Sequence, residues 1–183
     1  MDENLTPIYT HEGVKLTDKD EMQMYVFGGK GVFRLKSVKS NREFTYKIRP
    51  MSKRNPRYDE YTFYISLVVS GDTEFLGVLK SEENKYIHSK KSRHSWDSSE
   101  VKGIKWLLEQ FTKNEEFPEG MEFYHMGICS CCGKTLTTPS SIQMGIGPVC
   151  FDKYGNQRLK KLLHIKKKIE QKMKAMGRVL SWV

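Results

Sequence analysis

The chain has 183 residues and a formal net charge of +9, with 31 Lys or Arg against 22 Asp or Glu. No run of about 18 apolar residues occurs, and the first residues have neither the basic nor the apolar region of a secretory signal, so we expect an intracellular protein without membrane association. This length suffices for one core of ordinary size, or for a core with a small satellite held together by other means.

The first two thirds of the chain predict a loosely held start followed by a β-rich domain. Residues 1–24 lack clear periodicity, so we expect an N-terminal arm. Residues 25–120 predict a β-rich α+β domain, because apolar and polar side chains alternate in "GVFRLKSV", "REFTYKI" and "YTFYISLVV". Turns are expected at Ser40 and Asn41 and in "SGDT", which makes these strands an antiparallel β-meander.

A helix is predicted after these strands. Asp97 and Glu100 have the spacing of an N-terminal capping box, and apolar residues then recur at helical spacing. These apolar residues are Val101, Ile104, Leu107, Leu108 and Phe111. We expect this helix to cover the apolar face of the sheet, which gives an α+β fold.

Three of the four cysteines lie within "CSCCGK", and the fourth follows in "GIGPVC". In a reducing compartment such clustered thiols suit a metal better than a disulfide framework. Cys129 and Cys132 have the Cys-x-x-Cys spacing that aims two sulfurs at one ion, and Gly133 can take the positive φ that completes the turn. Pro148 suits the first position of a helix, which would place Cys150 in the first helical turn, where a thiolate is favoured.

A structural zinc site usually closes with four protein ligands, so a fourth ligand is expected beside these three cysteines. His125 is the nearest imidazole in sequence and is our prediction, with His164 as the main alternative and Asp152 as a weaker one. Cys131 is predicted to be a spare thiol, because at most one residue separates it from the neighbouring cysteines. We expect one structural Zn²⁺ in a zinc-binding module of residues 121–155. Its predicted ligands are Cys129, Cys132, Cys150 and His125.

The alternative for these cysteines is that they are unliganded and simply buried. Against this, about thirty residues rich in Gly, Ser and Thr cannot bury enough apolar surface to fold alone, whereas structural zinc contributes on the order of 10 kcal/mol to a small domain. A catalytic zinc needs an open position and a nearby general base, and no adjacent carboxylate is evident.

Enzymatic patterns elsewhere in the sequence are weak. The segment "FGGKG" lacks the spacing of a phosphate-binding loop. The Ser, His and Asp residues of "SKKSRHSWDSS" are too close in sequence for the geometry of a catalytic triad. We therefore predict that the protein is not an enzyme.

Positive charge is concentrated in two segments. Residues 156–183 hold nine Lys or Arg against one acid, with an apolar stripe at helical spacing, which predicts a basic amphipathic helix. Residues 30–57 hold ten bases and one acid. Segregated positive charge favours a polyanionic partner, so we expect contacts to nucleic acid. The predicted nucleic-acid-binding residues are Arg34, Lys36, Lys47, Arg49, Lys53, Arg54, Arg57, Lys160, Lys161, Lys167, Lys168 and Lys172.

The first predicted hairpin adds a geometric argument for this partner. With its turn at Ser40 and Asn41, Arg34 would lie directly opposite Lys47, and like charges so placed are destabilising unless an anion lies between them. A phosphate backbone would remove that repulsion, while side chains that splay into water are the alternative. Three tyrosines can add base stacking: Tyr58, Tyr61 and Tyr64.

The segment "EFYHMGICSCCGKTLTTPSSIQMGIGPVC" resembles a zinc-finger-like module of bacteriophage and prophage proteins, with the pattern His-x-Gly-x-Cys-x-x-Cys-Gly-x-x-Leu-Thr-x-Pro-x-Ser-Ile-x-x-Gly-Ile-Gly-Pro-x-Cys. The resemblance implies a phage origin, a place in the cytoplasm of the bacterial host and a zinc-supported fold, but no particular activity. The chain departs from this pattern in Cys131 and in its basic tail after Gly155.

Together these features predict a phage-encoded, zinc-binding accessory protein that binds DNA or RNA through phosphate contacts, largely independently of sequence. The alternative is a phage inhibitor that acts against a host protein or a defence complex by protein–protein contact. Monomer and dimer are equally compatible with the sequence.

Overall fold

The computed structural model describes residues 13–113 and 115–155, together with residues 167 and 171. Within these residues the protein is α+β, as predicted, and is built on a seven-stranded antiparallel sheet of order β1-β7-β2-β3-β4-β5-β6. The strands are β1 (Val14–Leu16), β2 (Val32–Ser37), β3 (Glu43–Pro50), β4 (Thr62–Val69), β5 (Asp72–Lys80), β6 (Lys85–His88) and β7 (Met121–His125). The helices are α1 (Lys19–Val26), α2 (Ser99–Gln110), α3 (Pro139–Met144) and a further helical segment, α4, at 148–155.

Strands β2 to β6 neighbour one another in chain order, which confirms the predicted antiparallel meander. The turn between β4 and β5 consists of Ser70 and Gly71, both with positive φ (49° and 90°), as a tight two-residue hairpin requires. This is the turn predicted from "SGDT". A fifth strand of the meander, β6, is absent from the sequence prediction because it has only four residues.

The other edge of the sheet contains the beginning of the described chain. Strand β1 pairs with β7, and α1 follows, with the Asp18 side chain accepting a hydrogen bond of 2.9 Å from the Glu21 N–H. Met22 and Val26 of α1 are fully buried. Residues 14–24 are therefore part of the fold, and the predicted loose arm is wrong for them, because β1 gains its partner from a strand far along the chain.

The register of the first hairpin also differs from the prediction. Arg34 lies opposite Thr45, and Lys36 lies opposite Glu43, whereas Lys47 lies opposite Val32. The register is shifted by two residues because the connection is a longer loop, closed by a hydrogen bond from the Ser37 N–H to the Arg42 carbonyl. The expected repulsion between Arg34 and Lys47 does not arise. A shift of two residues keeps both side chains on the predicted face of the sheet.

One face of the sheet packs against α1 and α2, as expected for a covering helix. The apolar stripe of α2 is buried, and the hydroxyl of Tyr46 donates a 2.7 Å hydrogen bond to the Glu100 carbonyl, which fixes the helix on the sheet. The predicted capping box at the start of α2 is wrong. Ser98 is the N-cap in place of Asp97, and the Glu100 carboxylate binds His94.

The opposite face of the sheet, called the open face here, presents the alternate side chains of each strand. Cross-strand pairing places seven Lys or Arg and two Glu on it: Lys15, Arg34, Lys36, Lys47, Arg49, Lys80, Lys85, Glu43 and Glu122. The open face is therefore strongly basic. The other side of the same strands is the apolar core.

No helix within the described ranges is both long and apolar enough to cross a membrane. The predicted basic helix of residues 156–183 lies outside the described residues, except for residues 167 and 171, which are helical and exposed. The boundary predicted between residues 120 and 121 falls immediately before β7, which is a strand of the main sheet.

Candidate functional site

The cysteine segment continues directly from the sheet. After β7 ends at His125, the chain forms a loop in which the Cys129 N–H donates to the Lys134 carbonyl and the Gly133 N–H donates to the Cys129 carbonyl, both at 2.8 Å. Gly133 has a φ of +79°, as predicted for the residue after Cys132. The loop thus holds the Cys-x-x-Cys pair on one tight turn.

Helix α4 supplies the third cysteine. It begins at Pro148, as predicted, so Cys150 lies in its first turn. The Sγ atoms of Cys129, Cys132 and Cys150 all lie within 4.8 Å of one another. Three thiolates at this separation can hold one metal ion.

Two of these sulfurs differ in how readily they ionise. Burial raises the pKa of Cys129, but N–H groups that point at its sulfur lower it by more, among them that of Gly147 at 3.4 Å. For Cys150 the pKa is raised by burial, by a hydrogen bond with Cys132 and by the negative charge of Cys129. Neighbouring thiolates repel one another, and a bound cation would remove that repulsion. The donor atoms and their charge therefore fit a divalent metal ion.

The predicted fourth ligand, His125, lies outside the three-sulfur cluster. It is the last residue of β7, and strand alternation places it on the same buried face as Phe123. Its Nδ1 accepts a 3.2 Å hydrogen bond from the Gly127 N–H, and its ring packs on Tyr25 with centroids 5.2 Å apart. Burial lowers the pKa of His125 to about 4, so the ring is neutral at pH 7. In this structure His125 is fully buried between Tyr25 of α1 and Gly145 of the cysteine segment.

The remaining candidates for the fourth position do not complete the cluster within the described ranges. Cys131, predicted as the spare thiol, and Asp152, which is exposed on α4, both lie outside the three-sulfur group. His164 lies outside the described residues. The described part of the chain supplies three sulfur ligands, and the fourth ligand stays a prediction.

The cysteine segment is attached to the main domain by backbone hydrogen bonds. The Tyr25 hydroxyl donates a 2.7 Å hydrogen bond to the Ile128 carbonyl, and the Lys30 N–H donates a 2.8 Å hydrogen bond to the Ser130 carbonyl. Gly145, with φ +66°, packs so closely that a Cβ at this position would lie 2.8 Å from the Tyr25 ring. Helix α1 thus positions the cysteine segment, although the sequence analysis assigned no role to this helix.

Four of the predicted nucleic-acid-binding residues lie on the open face, in β2 and β3, but they differ in accessibility. The side chain of Arg34 is only 11% exposed, lies 3.7 Å from Glu43 and has its guanidinium 4.9 Å from the Tyr124 ring centroid. Lys36 lies opposite Glu43 on one side and Glu122 on the other. Neighbouring acids therefore offset the positive charge at this end of the face.

Five of the predicted residues in the β-rich domain are exposed, including two of those on the open face, and we call them the basic surface. It consists of Lys47, Arg49, Lys53, Arg54 and Arg57. Residues 47–57 contain these five bases and no Asp or Glu. The Asn55 side-chain amide donates a 2.9 Å hydrogen bond to the hydroxyl of Tyr64, which pairs with Arg49 across the sheet. This contact holds the basic loop beside the open face, so sheet and loop form one surface.

Of the predicted residues in the C-terminal segment, the structure describes only one. Lys167 is helical and exposed. The others lie outside the described residues: Lys160, Lys161, Lys168 and Lys172.

The histidine in the Ser-rich segment before α2 has a structural partner on each side. His94 Nε2 lies 2.6 Å from Glu74 of β5, and its Nδ1 contacts Glu100 of α2. Burial lowers the pKa of His94, but the hydrogen bonds to the two carboxylates raise it by more, so the net shift is upward. His94 therefore connects the sheet to the covering helix.

Comparison with known proteins identifies one part of the chain. Residues 120–155 match the model of a family of unknown function, DUF6011. This range covers β7 and the cysteine segment that follows it, residues 126–155. Neither a curated protein nor a solved structure matches the chain.

Proposed function

We propose that the protein binds nucleic acid through the basic surface and that one structural zinc ion supports the cysteine segment next to it. The main support is the hydrogen bond between Asn55 and Tyr64. It holds an exposed loop with three Arg or Lys beside the two exposed cations of β3. Five positive charges that lie close together repel one another, and a negatively charged phosphate backbone would relieve this repulsion.

Zinc is the proposed metal because the three donors are thiolates. Soft sulfur ligands in a tetrahedral arrangement suit Zn²⁺, whereas Mg²⁺ and Ca²⁺ require oxygen ligands. When bound, the ion would neutralise the charge of the thiolates and would cross-link the Cys129–Cys132 loop to Cys150 of α4. Its role is structural, as in a zinc finger, and the protein is proposed not to be an enzyme.

The biological setting is part of this proposal. The resemblance of the cysteine segment to modules of phage proteins supports a phage-encoded protein acting in the cytoplasm of a bacterial host. Its binding would be largely independent of base sequence, because phosphate contacts carry most of the affinity.

The test is a fluorescence-anisotropy titration of labelled DNA and RNA oligonucleotides across a salt series. We expect binding at about 50 mM salt that weakens steeply towards 200 mM, since each phosphate contact adds to the salt dependence. The double variant Lys47→Glu with Arg49→Glu should lose most of this affinity. The single variant Lys47→Glu is matched by Lys102→Glu, an exposed change of equal charge on α2, on the other side of the sheet.

Two outcomes would contradict the proposal. One is the absence of binding at about 50 mM salt, and the other is binding that salt does not change. Recovery of a defined host protein that survives nuclease treatment, and that the Lys47 and Arg49 variants still bind, would favour the alternative of an inhibitor of a host protein or defence complex.

A further inference from the structure

An aromatic pair lies on the open face directly beside the basic surface. Tyr64 of β4 and Phe75 of β5 are partly exposed, with ring centroids 6.0 Å apart and planes at 77°. We propose that this surface selects single-stranded over duplex nucleic acid, with bases stacking on Tyr64 and Phe75 while phosphates bind the basic surface. This inference rests on the proposed function and names the form of nucleic acid that the same site takes.

The order of side chains across the sheet matches the two parts of a nucleotide. Lys47 pairs with Ser66, which pairs with Phe75, and Arg49 pairs with Tyr64 in the next row of the same face. Cations therefore lie on β3, and aromatic rings lie on β4 and β5, one to two strands away, at about 4.8 Å per strand. A strand of nucleic acid running along β3 would place its phosphates over the cations and its bases over the rings.

The residue between the cation and the ring is small. Ser66 is only 3% exposed, and its short side chain separates Lys47 from Phe75 in their row. Because Ser66 is small and buried, the accessible groups of this row are Lys47 and Phe75 on either side of it. By contrast, the Arg34 end of the open face is filled by the contacts of Arg34 with Glu43 and Tyr124.

The stacking ring is also held in place before any ligand binds. The Asn55 amide fixes the Tyr64 hydroxyl, and the Phe75 ring contacts the Tyr64 ring in an edge arrangement. Asp59 is the first acidic residue after the basic loop, and its carboxylate accepts a 2.7 Å hydrogen bond from the Thr62 hydroxyl. A ring fixed in this way loses little conformational freedom on binding, which favours affinity.

Single strands are favoured because only they offer free base faces. In a duplex the bases are stacked on one another, so a protein ring gains contact with phosphates and groove edges only. In a single strand each base can stack on an aromatic side chain, and such stacking tolerates any sequence. The phosphate contacts of the basic surface are available to both forms, so the aromatic pair carries the distinction.

The test compares a labelled single strand of about 16 nucleotides with a duplex of the same sequence, in DNA and in RNA, by anisotropy at fixed salt. We expect the wild-type protein to bind the single strand at least about tenfold more tightly. Phe75→Leu should weaken single-strand binding about tenfold and leave duplex binding unchanged. Tyr64→Leu removes a stacking ring and also the hydroxyl that binds Asn55, so it should weaken single-strand binding more than it weakens duplex binding. The matched control is Trp96→Leu, since Trp96 is 46% exposed but stacks on Tyr86 on the helix-covered side.

The outcomes separate this inference from the proposed function. Equal binding of single strand and duplex, still lost on Lys47→Glu, would overturn the single-strand preference and leave the proposed function intact. Unchanged single-strand binding in both Leu variants, with circular dichroism showing that they are folded, would overturn the stacking role. Absence of binding to every probe would overturn both.

Discussion

Within the described residues the structure has two buried cores of very different size. Between the sheet and its two helices lie twenty buried apolar residues, including the stacked rings of Phe33 and Phe123. The core of the cysteine segment has only four buried apolar residues, and two of them are Cys129 and Cys150. Burial of apolar surface suffices for the first core, whereas the second has too little of it to offset the entropy of ordering its chain. Burial can therefore fold the main domain, and we propose that the cysteine segment needs a bound metal.

The two cores are connected through β7 and through Tyr25 of α1. Strand β7 belongs to the main sheet and leads into the cysteine loop, and the Tyr25 hydroxyl binds the backbone of that loop. The main domain therefore fixes the start of the segment. The rest of the segment contacts the main domain at Ser130 and Gly145, and we propose that a metal bound by its three sulfurs holds it together.

The largest expected effect comes from removing one sulfur. Cys132→Ser should abolish metal binding and remove hydrogen-exchange protection in residues 127–150, because structural zinc contributes on the order of 10 kcal/mol to small modules. Protection in the central strands and α2 should remain. Cys131→Ser, one residue away and outside the cluster, is the control and should keep both metal and protection. A Cys132→Ser protein that retains metal would contradict this account.

A change in the main core should have the opposite pattern. Leu107 of α2 is fully buried, and Leu107→Ala should lower the free energy of unfolding by about 2–5 kcal/mol without changing metal content. Chemical denaturation and metal analysis give the two readouts. Ile87→Ala on the exposed side of β6 serves as the control and should cost under about 1 kcal/mol. Loss of metal from Leu107→Ala would show that the two cores are not independent.

A smaller effect is expected where α1 meets the end of α2. Lys19 Nζ donates to the carbonyls of Gln110, at 3.5 Å, and Lys113, at 2.6 Å. A cation here balances the negative end of the helix dipole, so Lys19→Met should cost about 1–2 kcal/mol in thermal or denaturant unfolding. Lys113→Met, which removes only an exposed contact to Glu109, should be close to neutral. Equal stability of the two variants would contradict the capping role.

The smallest effect concerns pH. His94 has a pKa raised above 6.5 by its two carboxylates, and Glu100 has a pKa lowered below 4.5: burial and hydrogen bonds act on it in opposite directions, and the hydrogen bonds and the charge of His94 win. The His94 contribution to stability is complete below about pH 6.5 and is lost as pH rises through its folded pKa. The Glu100 contribution is lost as pH falls through its own lowered pKa.

This linkage is measured by denaturant unfolding between pH 5 and pH 9. The wild-type protein should lose about 1 kcal/mol as His94 deprotonates, and His94→Gln should remove that part of the pH dependence. A wild-type profile identical to that of His94→Gln would show that the two carboxylates do not stabilise the charged imidazole.

Much of the sheet could be predicted from the sequence, and the omissions have a physical cause. Strands β2 to β5 alternate clearly because one face is buried, and the "SGDT" turn follows from its backbone requirements. Strand β1 has three residues and depends on β7, so its own sequence carries no periodic signal. The register of the first hairpin depends on the length of its loop, and residue propensities do not determine that length.

The metal cluster could be predicted in part for a similar reason. The Cys-x-x-Cys spacing and Pro148 before Cys150 are local features, and they define the three-sulfur group. The prediction of His125 as fourth ligand rests on proximity in sequence and stays a prediction, whereas strand alternation places His125 on the buried face of β7 with Phe123. The alternation in "MEFYH" contained that signal. Phe75, in contrast, joins Tyr64 only through the bulged pairing of β4 and β5, which no local pattern reveals.

The central claim is that a metal ion holds the cysteine segment together. Its most direct test is the metal content of the reduced, purified wild-type protein, combined with hydrogen exchange before and after treatment with a chelator. We expect equimolar zinc, and we expect the chelator to remove protection from residues 127–150 while the sheet and α2 stay protected. A metal-free protein whose cysteine segment is fully protected, with or without chelator, would contradict the account.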